Sequence, residues 1–203
     1  MASLKPAYFW EAVVTLQVKD LAFSLQTKDE GMGATKRRVF RADFINDGQV
    51  MFNPAQRVSG WLRKQLPLLR SSYREQVQAI KVFSTTGAIY QNIAKTEELT
   101  GTDEKPEDNL DYPKGLSYPF KQHIVVDDGR GGSRSTTTYW LVLPKPVNVT
   151  VQIMSFARSI TPEMVEEALR ELGRACGLGD KHSQGFGTFK VVSFKAEQKR
   201  LGL

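Results

Sequence analysis

The chain has 203 residues, of which 40% are hydrophobic and 10% aromatic. That suits one domain with a proper core and excludes wholesale disorder. One cysteine, Cys176, rules out an internal disulfide and a cysteine-built metal site, and two histidines, His123 and His182, argue against a histidine-rich one, so no cofactor or metal is expected. The formal net charge is +6, but residues 97–111 hold seven acids against Lys105 and carry −6, which leaves +12 on the rest. So basic a body points to a polyanionic partner, nucleic acid first, against the plainer reading of a merely positive surface. The opening Met-Ala-Ser-Leu-Lys-Pro lacks the apolar run of an export signal, and no stretch approaches membrane-spanning length, so a cytoplasmic protein without a membrane partner is expected.

Residues 8–18 alternate as a strand, with Val14, Leu16 and Val18 on one face and Thr15 and Gln17 on the other. Residues 27–36, polar and glycine-bearing, read as a flexible loop. Asn53-Pro54 opens a helix, asparagine as cap and proline at the first position. Val58, Trp61, Leu62, Leu66 and Leu69 form its apolar stripe, and Pro67 should end or kink it. Residues 73–83 fit helix or strand equally. Residues 91–135, rich in Gly, Pro and charge, read as an inserted arm, with a hairpin tip over residues 127–134. Strands follow at 136–143 and 147–156. Thr161-Pro162-Glu163 opens the last helix, whose buried stripe is Val165, Ala168, Leu169, Leu172 and Cys176. A strand over residues 188–194 closes the chain, and no internal repeat is seen. This order predicts one α+β domain over residues 1–203, a ferredoxin-like, RRM-like βαββαβ core carrying the arm 91–135.

Three constellations are candidates for ligand contact. The basic track Lys36, Arg37, Arg38 and Arg41 continues into Arg57, Arg63, Lys64, Arg70 and Arg74, and such residues neutralise phosphates. Part of it is equally a solvated helix face. Ser59 and Gly60 are small residues inside a helix, where glycine costs roughly 1 kcal/mol against alanine. They allow close approach of a bound backbone, or tight internal packing. Arg130 and Arg134 flank the hairpin tip, with Tyr118, Phe120 and His123 before it, an arrangement that can stack on bases or be an incidental loop.

The last helix and last strand are joined by Gly177-Leu-Gly-Asp-Lys-His-Ser-Gln-Gly-Phe-Gly187. Gly179 and Gly185 permit positive φ, and successive amides can cradle an anion beside Lys181, His182, Ser183 and Gln184. The alternative is a plain helix-to-strand turn. Catalytic signals are thin. His182 and His123 lie far apart, and Asp29 with Glu30 in the first loop could hold a divalent cation only if the loop is built for it.

This turn resembles the glycine-rich loop of the RAMP superfamily, the RNA-binding proteins of CRISPR effector complexes, whose pattern is matched by Gly177-Leu-Gly179, Lys181, Ser183 and Gly185-Phe-Gly187. The backbone-subunit branch also has a valine-x-arginine segment before a proline-to-arginine helix start. It is matched here by Val39-Phe-Arg41-Ala-Asp43 and by Pro54-Ala-Gln-Arg-Val-Ser-Gly60-Trp-Leu-Arg63, with the serine-rich centre degraded. The resemblance implies a subunit that coats single-stranded guide RNA, stacks head to tail with copies of itself, and joins other effector subunits. The target nucleic acid would come by base pairing to the guide, and the arm would act as a thumb. Target-cutting relatives place an aspartate just before the valine-x-arginine segment. Here residues 34–38 hold no acid, which speaks against cleavage, with Asp29 the one nearby substitute. A guide-processing endoribonuclease using His182 or His123 is the alternative, and an accessory protein that uses the fold without RNA is the second.

Overall fold

The structure, a computed structural model, describes residues 8–25, 27–30, 37–40, 45–46, 49–95, 110–111, 120–127, 133–143, 145–179 and 185–200. Six strands, β1 (Tyr8–Val18), β2 (Ala22–Leu25), β3 (Thr27–Glu30), β4 (Arg37–Phe40), β5 (Ile45–Asn46) and β6 (Gln49–Phe52), precede helix α1 (Pro54–Leu69). A short helix α2 (Tyr73–Gln76) and a 3-10 turn (Val77–Ala79) lead into β7 (Ile80–Ser84). Then come β8 (Gln91–Lys95), β9 (Leu110–Asp111), β10 (Phe120–Asp127), β11 (Ser133–Val142), β12 (Val147–Ser155), helix α3 (Pro162–Leu172) and β13 (Phe189–Arg200).

The main body is an antiparallel four-stranded sheet in the order β13-β1-β12-β7, so the fold is mixed α+β. Because β12 runs antiparallel to both β1 and β7, those two strands point the same way, and α1 lies in the connection between them. The strand alternation read from residues 8–18 sets which face is sealed. Trp10, Ala12, Val14, Leu16 and Val18 are all buried, at 7% exposure or less. Val149, Val151 and Ile153 of β12 continue that face, and the stripes Val58, Trp61, Leu62, Leu66 of α1 and Val165, Ala168, Leu169 of α3 cover it. Each such side chain contributes about 1.5–3 kcal/mol on burial. Trp61 ties α1 to the segment after α3 and to the last strand. Its ring meets Phe189 edge-on at 5.2 Å, and its Nε1 donates to the Cys176 carbonyl at 2.7 Å.

The helix ends follow the cap chemistry. Asn53 Oδ1 accepts from the Gln56 amide at 3.0 Å, and the Thr161 hydroxyl accepts from the Met164 amide at 3.4 Å. Pro67 lies inside α1, which ends two residues later at Leu69. Leu69, placed by its spacing on the buried stripe, is 42% exposed, since the helix has left the sheet by its final turn. Residues 73–83 hold both alternatives in succession, helical turns and then β7.

Within residues 27–36, Thr27–Glu30 departs from the loop expectation, since it forms β3 and pairs with β4, and residues 31–36 lie outside the described residues. The register sets Asp29 opposite Arg38 and Glu30 opposite Arg37. Of residues 91–135, β8 pairs with β6, β9 with β4, and β10 with β11, which also pairs with β2. The last strand runs to Arg200 rather than 194, its second half held by β1 through pairs such as Ala12 with Ala196 and Trp10 with Gln198.

Candidate nucleic-acid interface

The second face of the four-stranded sheet is open. Cross-strand register arranges its side chains in ranks: Lys195, Val13, Gln152 and Phe83 in one, Glu197, Glu11, Met154 and Lys81 in the next, and Lys190 beside Gln17 further along. Val13 is 43% and Phe83 46% exposed, so among the described residues no element lies over them. An exposed aromatic ring offers a stacking surface to any base.

The cations divide into two kinds. Lys199 is engaged, bonded to Glu11 and 2.9 Å from Glu197, while Gln152 Nε2 donates to Glu11 at 3.0 Å. The Lys199 ammonium is the main cause holding the Glu11 carboxyl below its usual range, and Glu11 in turn raises Lys199. Lys81, Lys190 and Lys195 are exposed and make no hydrogen bond or ion pair among the described residues. An ammonium left in water and aimed off an open face is available to a phosphate.

Helix α1, packed on the sealed face, reaches the edge strand β7. Ser59 lines a cavity of about 490 Å³ with Asn53, Ala55 and Gln56 on one side and Val82, Phe83, Ser84 and the 87–89 loop on the other. A Cβ at Gly60 would meet nothing within 4 Å, so tight internal packing does not account for this glycine. Arg63 and Lys64 are exposed on the same helix, whereas Arg57 is half-buried and already has an interaction.

The glycine turn uses most of its glycines inside the molecule. The Leu178 amide donates to the Gly187 carbonyl at 2.8 Å and the Gly187 amide to the Asp20 carbonyl at 3.1 Å. Side chains at Gly177 or Gly187 would overlap the Phe186 and Leu178 carbonyl oxygens. Gly179 packs against Leu21 and Ala22. Gly185, at φ +87°, faces open space and is the one described glycine of the turn free to approach a ligand. Lys181, His182, Ser183 and Gln184 lie outside the described residues, as do Lys36, Arg41 and Arg130.

Arg37 and Arg38 lie on β4, Asp29 on β3, His123 on β10 opposite Thr137, and Arg134 on β11 opposite Val126, all placed by register alone. Sequence reasoning missed Phe83, Lys81, Val13 and Lys195. The signal was there for Val13, since its face follows from the alternation, but not for β7, which the pattern left ambiguous.

No family model matches the sequence, and no curated protein matches it. A solved structure described as a cryo-EM structure of the Type III-B Cmr-beta bound to cognate target RNA is similar, with a TM-score of 0.47 and 10% identity over 93% of this chain. The match covers 60% of that chain, so this one spans less than two thirds of its length.

Proposed function

We propose that the protein binds single-stranded RNA across the open sheet face, largely without regard to sequence, as a guide-RNA backbone subunit of the RAMP superfamily. The observation that carries the reading is the open rank of Lys195, Val13, Gln152 and Phe83 with unpaired Lys81 beside it. An exposed ring on a sheet that also carries lysines takes bases by stacking and phosphates by charge, the combination that single strands offer. The strand order β13-β1-β12-β7, with α1 and α3 in the two crossovers, supports a ferredoxin-like, RRM-like βαββαβ core. The glycine pattern of residues 177–187 and the +12 balance outside the acidic segment support the family and the partner. In this reading residues 91–135 form the thumb, copies associate head to tail, and other effector subunits and a base-paired target complete the assembly. The subunit itself is not catalytic.

The test is fluorescence anisotropy with labelled single-stranded RNA across a salt series. Expected is binding that weakens linearly with log salt, by about 0.7 per phosphate contact, with little dependence on sequence. A chain that ignores RNA at low salt ends the proposal, and cutting of a repeat hairpin without metal would favour the endoribonuclease instead.

A further inference from the structure

At the far end of the sheet from the glycine turn lies a second cavity, of about 500 Å³. It opens where β13 runs past the start of α3, so that the helix no longer covers the strands. Tyr8, Trp10 and Gln198 line it from the sheet, Phe156 and Arg158 from the segment after β12, and Glu163 from the first turn of α3. We propose that this cavity binds a nucleobase bearing a phosphate, either a free nucleotide or the terminal nucleotide of a strand. Where the source is a strand, the proposal rests on the RNA-binding reading above.

The rings carry the first part of the argument. Tyr8 is 44% and Phe156 47% exposed, and Phe156 is held 5.4 Å from Phe9, tilted by 31°. Exposed rings around a concave site, held in place by a neighbouring ring, are a platform for a flat aromatic ligand. Trp10 forms a rigid wall, its Nε1 fixed to the Ile160 carbonyl at 2.7 Å. The volume lies within the range of small-molecule sites.

Charge and polarity carry the second. Arg158 and Arg200, the latter directly across from Tyr8, are exposed and make no hydrogen bond or ion pair among the described residues. A guanidinium fork suits phosphate oxygens. Two carboxylates nearby stay ionised: Glu197 shares Lys199 with Glu11, and the Thr161 hydroxyl holds the Glu163 carboxyl low at the start of α3, where the helix dipole offsets part of its charge. The exposed Gln198 amide, with no partner among the described residues, supplies a donor and an acceptor for a base edge.

Trp10 in the wall gives the readout. The full chain is titrated with UMP, AMP and uridine while tryptophan fluorescence is followed, and with RNA oligomers with or without a terminal phosphate. Nucleotides are expected to quench the emission, Trp10→Phe to abolish the response, and Phe156→Ala to weaken it about tenfold. Arg158→Ala should weaken UMP several-fold and leave uridine unchanged. Competition by a phosphorylated oligomer far below the UMP concentration identifies a strand end, and equal competition per phosphate identifies the free nucleotide. Circular dichroism verifies that each variant folds. No quenching by millimolar UMP or AMP overturns the proposal. So does a Phe156→Ala variant that changes self-association in sedimentation but not the nucleotide response, since the cavity would then hold a protein side chain. Quenching that persists in a chain unable to bind RNA oligomers would overturn the sheet-face reading and support the cavity.

Discussion

The two faces of one strand behave as two different molecules. Along β1, Trp10, Ala12, Val14, Leu16 and Val18 are sealed under helices, while Val13, between two of them, is 43% exposed. The buried residues belong to the apolar core and are replaceable only at a cost in stability. The open residues, with Lys195 and Phe83 across the sheet, carry little of the fold. Stability and ligand contact are thus separated by a single residue of register, and substitutions should separate them too.

Leu16→Ala should show the largest effect. The side chain is fully buried, and its loss should cost about 2–5 kcal/mol of folding free energy, read by denaturant unfolding. Gly187→Ala follows. It sets a Cβ against the Leu178 carbonyl at φ +71° and should cost about 1–3 kcal/mol, with no direct effect on RNA contact. A Gly187→Ala chain as stable as wild type would mean that the turn is looser than its hydrogen bonds indicate.

The opposite pattern is expected on the open face. Phe83→Ala should leave the unfolding midpoint almost unchanged and weaken single-stranded RNA by about 1–3 kcal/mol, measured by anisotropy. The Lys81→Ala, Lys195→Ala double variant should lower the salt dependence by about 0.7 per lysine. Equal loss of stability and binding in either would erase the distinction between the faces.

How much of this was legible in the sequence depends on whether the decisive contact was local. The first strand was readable to its ends because its alternation is a property of neighbouring residues. Asn53 and Thr161 were readable as caps for the same reason, since each acts within three residues. The strand at Thr27–Glu30 was not, since it exists through pairing with β4, a partner outside its own segment. Nor was the use of the glycines at 177 and 187, which depends on carbonyl groups brought close only when the turn closes. The ranks of the open face require the register of four strands, and the cavity near Phe156 requires α3 to start short of the sheet's end. Neither is written in any one segment.

The smallest expected effect lies in the ion cluster that borders the open face. Glu11 titrates below its ordinary value because Lys199 holds it ionised, so its contribution is present above the unfolded carboxyl pKa, near 4.5, and is lost as pH falls through the lower folded value. Lys199 titrates above its ordinary value of 10.5, so its contribution is present below that pH and lost as pH rises through the folded value. Between those limits the pair adds a constant, small increment, since half-exposed ion pairs are worth little. Glu11→Gln should therefore lower the melting temperature slightly at neutral pH. The difference from wild type should shrink below about pH 4 and shrink again in strong alkali. The same variant removes one of the two carboxylates that hold Lys199 and leaves only Glu197 on it, so RNA binding at neutral pH should strengthen while stability falls. A variant in which both quantities fall would place Glu11 with the sealed face, in spite of its position in the open ranks.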